Sequence, residues 1–193
     1  MDPIVYVEDL AARQELIRAG RDVAVSVSGD VLDLGGAQWR IGSYLNNARV
    51  RRLWVLDPDG IEEQVVGQRI AGRARDRLGF VADVRELGDA DVDTVVSVGS
   101  VSSMASPAWQ LSKVVGREAE LVFAEPTLGP GFAGRLPEVL TRASRRPVIV
   151  RDVPSVVRSA GLELTALERR RVQTPRLAWR YLAVGRARRE IGR

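Results

Sequence analysis

Apolar and polar residues alternate along most of the chain in a way that predicts strands and helices in turn. Short runs rich in valine and leucine predict strands over residues 31–34, 52–56, 80–84, 94–98 and 120–125. Between them, apolar residues recur every three or four positions and predict helices over residues 41–46, 61–78 and 108–115. Ahead of this block we expect a helix over residues 7–19 and a short β-type patch over 22–27. Such alternation is typical of a mostly parallel sheet with helices on both faces.

The end of the chain follows a different pattern. A helix is predicted over residues 154–160 and ends at Gly161. Strand-like segments at 162–167 and 177–184 then face each other across a short polar turn, Gln173-Thr174-Pro175. Strands joined by so short a turn pair antiparallel. We therefore expect an α/β fold with a doubly wound, mostly parallel seven-stranded sheet that finishes in a C-terminal antiparallel hairpin.

Composition removes several kinds of catalysis. The chain has no cysteine and no histidine, so it has no disulfide, no thiolate nucleophile, no imidazole base and no metal site built on either residue. Proton transfer would use a carboxylate, a tyrosine, water or the substrate's own acidity. We expect no metal, because the acidic trio Asp89, Asp91 and Asp93 predicts a solvated turn before the fourth strand.

The net charge of +4 is concentrated near the end of the chain, where residues 169–193 carry nine arginines. Such a segment attracts phosphates and anionic lipid headgroups, so peripheral membrane contact is compatible with it. Its simpler interpretation is the solvated outer face of the last strands. Few aromatic residues are interleaved with the charges, which disfavours nucleic-acid binding. No apolar run approaches the roughly 18 residues of a membrane span and no basic leader is present, so we expect a cytoplasmic protein.

One segment predicts a nucleoside-binding turn. Residues 31–39 form an apolar run that breaks at Gly35-Gly36 and enters a helix, which brings backbone N–H groups close to a ligand. Asp57 ends the next predicted strand about 20 residues further on, where a carboxylate accepts from both hydroxyls of a ribose. These two features predict nucleoside binding at the carboxyl edge of the sheet.

The motifs, taken in order over residues 30–188, resemble those of the class I S-adenosylmethionine-dependent methyltransferases. Val31-Leu32-Asp33-Leu34-Gly35-Gly36-Ala37 is similar to the first family motif, an acid followed by a glycine-rich turn. The other similar segments are Leu56-Asp57-Pro58-Asp59, Ala82-Asp83, Asp91-Val92-Asp93-Thr94-Val95-Val96, Val114-Val115-Gly116-Arg117 and Leu121-Val122-Phe123-Ala124-Glu125. The last part of the chain looks closest to small type 11-like and thiol methyltransferases. The resemblance implies a Rossmann-like methyltransferase fold with S-adenosylmethionine as its cofactor.

The resemblance also implies which residues contact that cofactor. Asp33 would take the ammonium of the methionine head, directly or through water, while Gly35 and Ala37 would keep the turn free of bulk. Asp57 would accept from both ribose hydroxyls. Asp83 would accept from the adenine N6. Each acid taken alone is also compatible with a helix cap or a solvated strand end.

The segment that follows the fourth predicted strand would line the transfer site. Ser97 is assigned to the cofactor site on this ground, and Ser100 and Ser102 would orient a nucleophile or simply cap their own backbone. The segment lacks the N-P-P-Y pattern that polarises exocyclic amines, which argues against nucleobase N-methylation. No catalytic base can be identified.

The glycine motif is degenerate. Ala37 replaces its second glycine, and Trp39 stands where the third is usual. An indole needs roughly 150–250 Å² of surface covered. If Trp39 points into the pocket it overlaps the methionine end of the cofactor, and if it points away it packs beneath the helix and the site stays open. The sequence leaves both alternatives.

Three functions are compatible with these features. The first is methyl transfer from S-adenosylmethionine to a small hydrophobic acceptor such as a thiol or phenol. The second is a catalytically degenerate protein of this fold that acts as a partner subunit or regulator, and the third is a cyclase that uses the fold without methyl transfer. A homodimer and a heteromeric complex are both left open.

We expect a single methyltransferase-like domain over residues 1–193. Its parts would be an N-terminal helical extension at 1–29, a cofactor-binding half at 30–125, and a lid with the terminal hairpin at 126–193. The glycine- and proline-rich stretch at 126–151 would cover the carboxyl edge of the sheet.

Overall fold

The structure, a computed structural model, describes most of the chain. The described residues are 3–35, 40–66, 69–70, 72–87, 92–101, 104, 106–129, 138–143, 146–173 and 181–189. Within these ranges, the side chains of 3–12 and of 138–150 are not described.

Helices and strands alternate through the first two thirds of the chain. The helices are α1 (Pro3–Ser26), α2 (Ile41–Asn46), α3 (Ile61–Val65), α4 (Pro107–Val114) and α5 (Val153–Ser159). The strands are β1 (Gly29–Asp33), β2 (Val50–Leu56), β3 (Leu78–Val81), β4 (Thr94–Val98), β5 (Glu120–Pro126), β6 (Glu138–Ala143), β7 (Arg146–Arg151), β8 (Leu162–Arg171) and β9 (Tyr181–Arg189). Two 3-10 turns lie at Gly72–Arg77 and Val84–Leu87.

The described strands form two sheets. Seven of them lie in one sheet in the order β3-β2-β1-β4-β5-β9-β8. The first five in that order run parallel, and β9 runs antiparallel to β5 and β8 on either side of it. This arrangement confirms the predicted α/β fold with a terminal antiparallel hairpin. Strands β6 and β7 form a separate antiparallel pair within the 126–151 stretch, where the sequence predicted no strand.

The sheet is buried on both faces. Successive side chains of a strand point to opposite faces. Accordingly Val31 and Val96 pack into the core formed with α1 and α2, whereas Leu32 and Val95 pack into the core on the other face with α4 and α5. Burial on both faces explains why these strands read as continuous apolar runs.

The first helix is longer than predicted, and the β-type patch expected at 22–27 is wrong. These residues form the end of α1 and the turn after it. The Asn47 amide donates to the carbonyls of Val25 at 3.1 Å and Val27 at 2.9 Å, and so satisfies the end of the helix from outside. A long-range cap of this kind leaves no local trace in the sequence.

The helix predicted over 61–78 is also wrong in length. The α-helix ends at Val65, and Gly72 with a φ of 64° begins a 3-10 turn. Leu78 is already the first residue of β3 and pairs with Leu53 of β2. Glycine suits the left-handed conformation at which this turn begins. The apolar spacing that predicted a single helix therefore extends from α3 to the first residue of β3.

Most of the other predicted elements are observed. The helix at 41–46 and the strand at 94–98 have the predicted bounds, and α5 ends at Ser159, two residues before Gly161 with its φ of 75°. In the terminal hairpin, residues 174–180 lie outside the described residues, so the turn and the start of the strand predicted at 177 are not described. Across the described ranges, no helix combines the length and the apolarity needed to cross a bilayer.

The end of β9 is joined to α4. The Arg189 guanidinium donates to the carbonyls of Ser112 at 2.6 Å and Val115 at 2.8 Å. These carbonyls lie at the end of the helix, where they have no partner within the helix itself. A cation here also complements the negative end of the helix dipole.

Candidate functional site

The carboxyl ends of the five parallel strands place polar side chains at one edge of the sheet. Asp33 is the last residue of β1, Asp57 follows β2, and Ser97 and Glu125 lie near the ends of β4 and β5. All four are buried, and Asp57 is the most accessible at 7%. Asp83, which follows β3, keeps 42% of its side chain exposed. Ligands of open α/β sheets usually bind at this edge, beside the carboxyl ends of the strands.

The Asp33 carboxylate is fully engaged by protein groups. Arg40 donates to it through Nε at 2.9 Å and Nη2 at 2.6 Å, and the Tyr44 hydroxyl donates at 2.7 Å. The backbone N–H of Gly35 donates to its Oδ1 at 3.0 Å. Asp33, Arg40 and Tyr44 are all fully buried. The acid is therefore neutralised by a cation of the chain itself.

Arg40 and Tyr44 keep their protons in this buried cluster. Burial alone would lower the pKa of Arg40, but the Asp33 carboxylate raises it above its usual value. Burial, followed by the negative charge of Asp33, raises the pKa of Tyr44 well above its usual range. Tyr44 therefore stays a phenol and donates. The sequence analysis did not single out either partner of Asp33, because nothing in the sequence shows that Arg40 and Tyr44 face its carboxylate.

The Gly35 turn adjoins the end of β2. Gly35 has a φ of 123°, which a side chain rarely tolerates. A Cβ built on it would lie 3.7 Å from the Leu56 carbonyl oxygen. The Gly35 carbonyl accepts from Arg40 at 2.7 Å. Two predicted positions of this motif, Ala37 and Trp39, lie outside the described residues.

Asp57 is held at the start of α3. Its backbone N–H donates to the Val81 carbonyl at 2.8 Å, which fixes it against β3. Its Oδ2 accepts from the backbone N–H of Glu63 at 2.9 Å. Gly60, with a φ of 67°, turns the chain between the two. Asp57 thus caps a helix and at the same time lies beside the Gly35 turn.

Asp83 is bound at the surface by its neighbour Arg85. The Arg85 backbone N–H, Nε and Nη2 donate to the Asp83 carboxylate at 2.8–2.9 Å. These hydrogen bonds lower the pKa of Asp83 to about 2. The structure does not join Asp83 to the buried cluster of Asp33, and its predicted contact with adenine stays a prediction.

Ser97 and Glu125 form a second buried cluster. The Ser97 hydroxyl donates to Glu125 Oε1 at 2.6 Å, and the backbone N–H groups of Ser100 and Val101 donate to the same oxygen at 2.9 and 3.3 Å. Burial raises the pKa of Glu125 to about 7, although these three donors act in the opposite direction. The predicted cofactor residue Ser97 is thus a hydrogen-bond partner of Glu125. The sequence analysis did not assign Glu125 to the site, although Glu125 ends the segment at 121–125 that resembles a family motif.

The other candidate charges have structural partners. Arg186 and Arg188 in the basic segment pair with Glu120 at 2.7 and 3.2 Å. Asp93 accepts from Arg51 at 2.9 Å. Asp89 and Asp91 of the acidic trio, and Ser102, lie outside the described residues. Among the residues whose positions are described, no cluster of acidic side chains could hold a metal ion.

The fold is similar to that of solved methyltransferases. Burkholderia thailandensis 1,6-didemethyltoxoflavin-N1-methyltransferase, solved with 1,6-didemethyltoxoflavin and S-adenosylhomocysteine, matches 90% of this chain over 78% of its own, with a TM-score of 0.63 and 20% identity. Glycopeptide N-methyltransferase MtfA matches 92% over 94%, with a TM-score of 0.58 and 19% identity. N-methyltransferase NodS from Bradyrhizobium japonicum, solved with S-adenosylhomocysteine, matches 92% over 87%, with a TM-score of 0.56 and 16% identity.

Sequence comparison alone finds no relative: no protein-family model matches the chain, and no curated protein matches it. The similarity therefore lies in the course of the backbone. In this chain the last strand is inserted antiparallel between β5 and β8, and the fold as a whole superposes on these solved structures with TM-scores of 0.56–0.63. This chain has the class I S-adenosylmethionine-dependent methyltransferase fold.

Proposed function

We propose that this chain binds S-adenosylmethionine at the carboxyl edge of its sheet and transfers the methyl group to a small acceptor. The observation that carries the proposal is the adjacency of the Gly35 turn and the end of β2, where Asp57 stands 7% exposed. A backbone turn without a side chain and a carboxylate beside it are the two groups that a nucleoside site needs. The solved structures with S-adenosylhomocysteine support the choice of ligand.

The residues present fit the nucleoside part of this cofactor. Asp57 would accept from the ribose hydroxyls, and its position is fixed by its backbone N–H bond to β3. The backbone of the Gly35 turn would lie directly against the ligand. When bound, the cofactor supplies an electrophilic methyl group on a sulfonium. The chain's own part is to bind and orient the two reactants, which is a large share of catalysis when the nucleophile is already ionised.

The methionine head needs a different account from the one that the resemblance implies. Both oxygens of Asp33 are occupied by Arg40, Tyr44 and Gly35, so direct acceptance from an ammonium would compete with an internal ion pair. We infer that Asp33 holds the turn through Arg40 and contacts the head through water at most.

Calorimetry with S-adenosylhomocysteine tests the cofactor site. Asp57→Asn keeps an oxygen that can cap α3 through Glu63 but removes the charge offered to the ribose. A charge-assisted hydrogen bond contributes about 1.5–3 kcal/mol, so we expect roughly ten- to hundredfold weaker binding. Asp59→Asn, in the exposed turn two residues on, is the matched control and should bind as the wild type does. Equal affinity of the two variants would refute the assignment of Asp57.

The acceptor is proposed as a small hydrophobic nucleophile such as a thiol or phenol. The segment after β4 offers serine hydroxyls but lacks the N-P-P-Y pattern. Since the three solved structures named above are N-methyltransferases, an amine nitrogen belongs in the same test. Formation of S-adenosylhomocysteine, measured against a panel of thiols, phenols and amines, would identify the class. We propose that the chain acts as a cytoplasmic enzyme without a metal.

The ion pair between Asp33 and Arg40 favours a second candidate, a degenerate protein of this fold that serves as a partner subunit or regulator. The acid of the first motif is neutralised by the chain itself, as expected where the head is no longer bound. Absence of heat with both S-adenosylmethionine and S-adenosylhomocysteine would support this candidate. Binding of the cofactor without methyl transfer to any acceptor would instead favour a cyclase.

A further inference from the structure

The last two residues of β4 and the three that follow it, Ser97 to Val101 and here called the post-β4 segment, are held by one buried carboxylate. Glu125 Oε1 accepts three hydrogen bonds from it, one from a hydroxyl and two from consecutive backbone N–H groups. The donor–acceptor distances are 2.6, 2.9 and 3.3 Å. A single oxygen therefore sets the position of a five-residue segment at the carboxyl edge.

The same segment is also held from its other side. The Arg151 guanidinium, at the end of β7, donates to the Val101 carbonyl at 2.6 Å. The Gly99 N–H donates to the Ala124 carbonyl at 3.1 Å. Ser100 Oγ lies 3.5 Å from the Gly35 carbonyl oxygen. The post-β4 segment thus connects β5, the β6–β7 pair and the Gly35 turn.

We propose that Glu125 is the positioning residue of the transfer site, because its ionised carboxylate holds the post-β4 segment beside the Gly35 turn in the arrangement that receives the cofactor. The inference rests on the proposed function. Glu125 need not touch the cofactor, and it acts through Ser97, Ser100 and Val101. An ionised acceptor binds these donors about twice as strongly as a neutral one.

The second carboxylate oxygen of Glu125, Oε2, makes ionisation of this side chain energetically unfavourable. No described group hydrogen-bonds Oε2, which is buried. A buried charge with one unpaired oxygen takes up a proton more readily, and burial raises the pKa of Glu125 to about 7. The carboxylate therefore changes between its charged and neutral forms near neutral pH.

Charged groups lie on several sides of Glu125. On the side of β1 and α2 lie Arg40, which lowers the pKa of Glu125, and its partners Asp33 and Tyr44. On the side of β7 lie Arg151 and Asp152, and α1 carries its described charged residues on the surface, where Glu15 pairs with Arg18 at 2.6 Å. The neighbouring strand β9 places Ala183 opposite Glu125. The chain has no histidine, so no imidazole competes for the assignment.

The test is the affinity for S-adenosylhomocysteine between pH 6 and pH 8. With a pKa of about 7, roughly a tenth of Glu125 is ionised at pH 6 and nine tenths at pH 8. If only the ionised form arranges the segment, the apparent affinity rises up to about tenfold over this range. Glu125→Gln keeps an acceptor without the charge, so its affinity should not change with pH. Glu120→Gln, at the opposite end of β5, is the matched control and should keep the wild-type profile.

A second variant and a second measurement guard against a folding defect. Ser97→Ala removes one donor that favours the ionised form, so the midpoint of the affinity profile should move to higher pH. Amide proton shifts of Ser100 and Val101 in the free wild-type protein should titrate with the same midpoint as Glu125. The inference fails if those amides do not titrate, or if wild type and Glu125→Gln show the same profile. No binding by any variant at any pH would instead refute the proposed function.

Discussion

Stability against pH offers a direct measure of the buried charge on Glu125. In the unfolded chain its pKa is the ordinary 4.5, whereas burial raises it to about 7 in the native state. Between these values the native state binds more protons than the unfolded state, so the free energy of unfolding falls as the pH rises from 4.5 to 7. A difference of about 2.5 pKa units corresponds to about 3 kcal/mol. Below pH 4.5 this loss of unfolding free energy is absent, and above pH 7 it is complete.

The assay compares the wild type with Glu125→Gln by urea unfolding from pH 5 to pH 8. Glutamine resembles the protonated acid, so the variant should be close to wild type at pH 5 and more stable by about 3 kcal/mol at pH 8. Other titrating groups cancel in the difference between the two proteins. Glu120→Gln, whose carboxylate is 15% exposed and pairs with Arg186 and Arg188, controls for the removal of one negative charge. The free energy of unfolding of Glu125→Gln minus that of the wild type should change between pH 5 and pH 8. A change of less than about 1 kcal/mol would refute the account of Glu125 as an energetically unfavourable buried charge.

Two further substitutions test the packing around the site. Tyr44→Phe removes a hydroxyl that donates to the buried Asp33 carboxylate at 2.7 Å, so the free energy of unfolding should fall by about 1.5–3 kcal/mol in urea. Tyr181→Phe, whose hydroxyl bonds no described residue, is its control, and equal losses would show that the Asp33 cluster does not depend on the phenol. Gly185→Ala would place a Cβ 2.5 Å from a carbonyl oxygen of β8, so we expect a loss of about 1–3 kcal/mol by thermal unfolding. Gly116→Ala has open space around it and should change stability by less than about 0.5 kcal/mol, and a similar small effect at Gly185 would contradict the tight contact between β8 and β9.

The fold could be predicted because its strands carry their own pattern. Strands buried on both faces leave continuous apolar runs, and the order of these runs was enough to predict a parallel sheet with an antiparallel end. Failures came where distant groups decide the local structure. Asn47 ends α1 from outside in this way. At 61–78 the failure is local instead, because one apolar spacing extends over α3, a 3-10 turn and the first residue of β3.

The site was predictable only in part. Asp33, Asp57 and Ser97 lie at the predicted edge because a strand end fixes where the next side chain stands. What each carboxylate binds depends on partners from other elements. Arg40 reaches Asp33 across a turn, and Glu125 reaches Ser97 from the neighbouring strand. Neither contact corresponds to a residue pattern that can be recognised in the sequence.

The position of β9 has a consequence for how the chain folds during synthesis. This strand follows all the other strands of the sheet in the sequence, yet it lies between β5 and β8 and brings Arg189 to the end of α4. Until it inserts, β5 has an unpaired edge and α4 ends without its cation. Between the synthesis of β5 and that of β9, a nascent chain therefore exposes an unpaired strand edge, and contact with a chaperone is most useful to it during that interval.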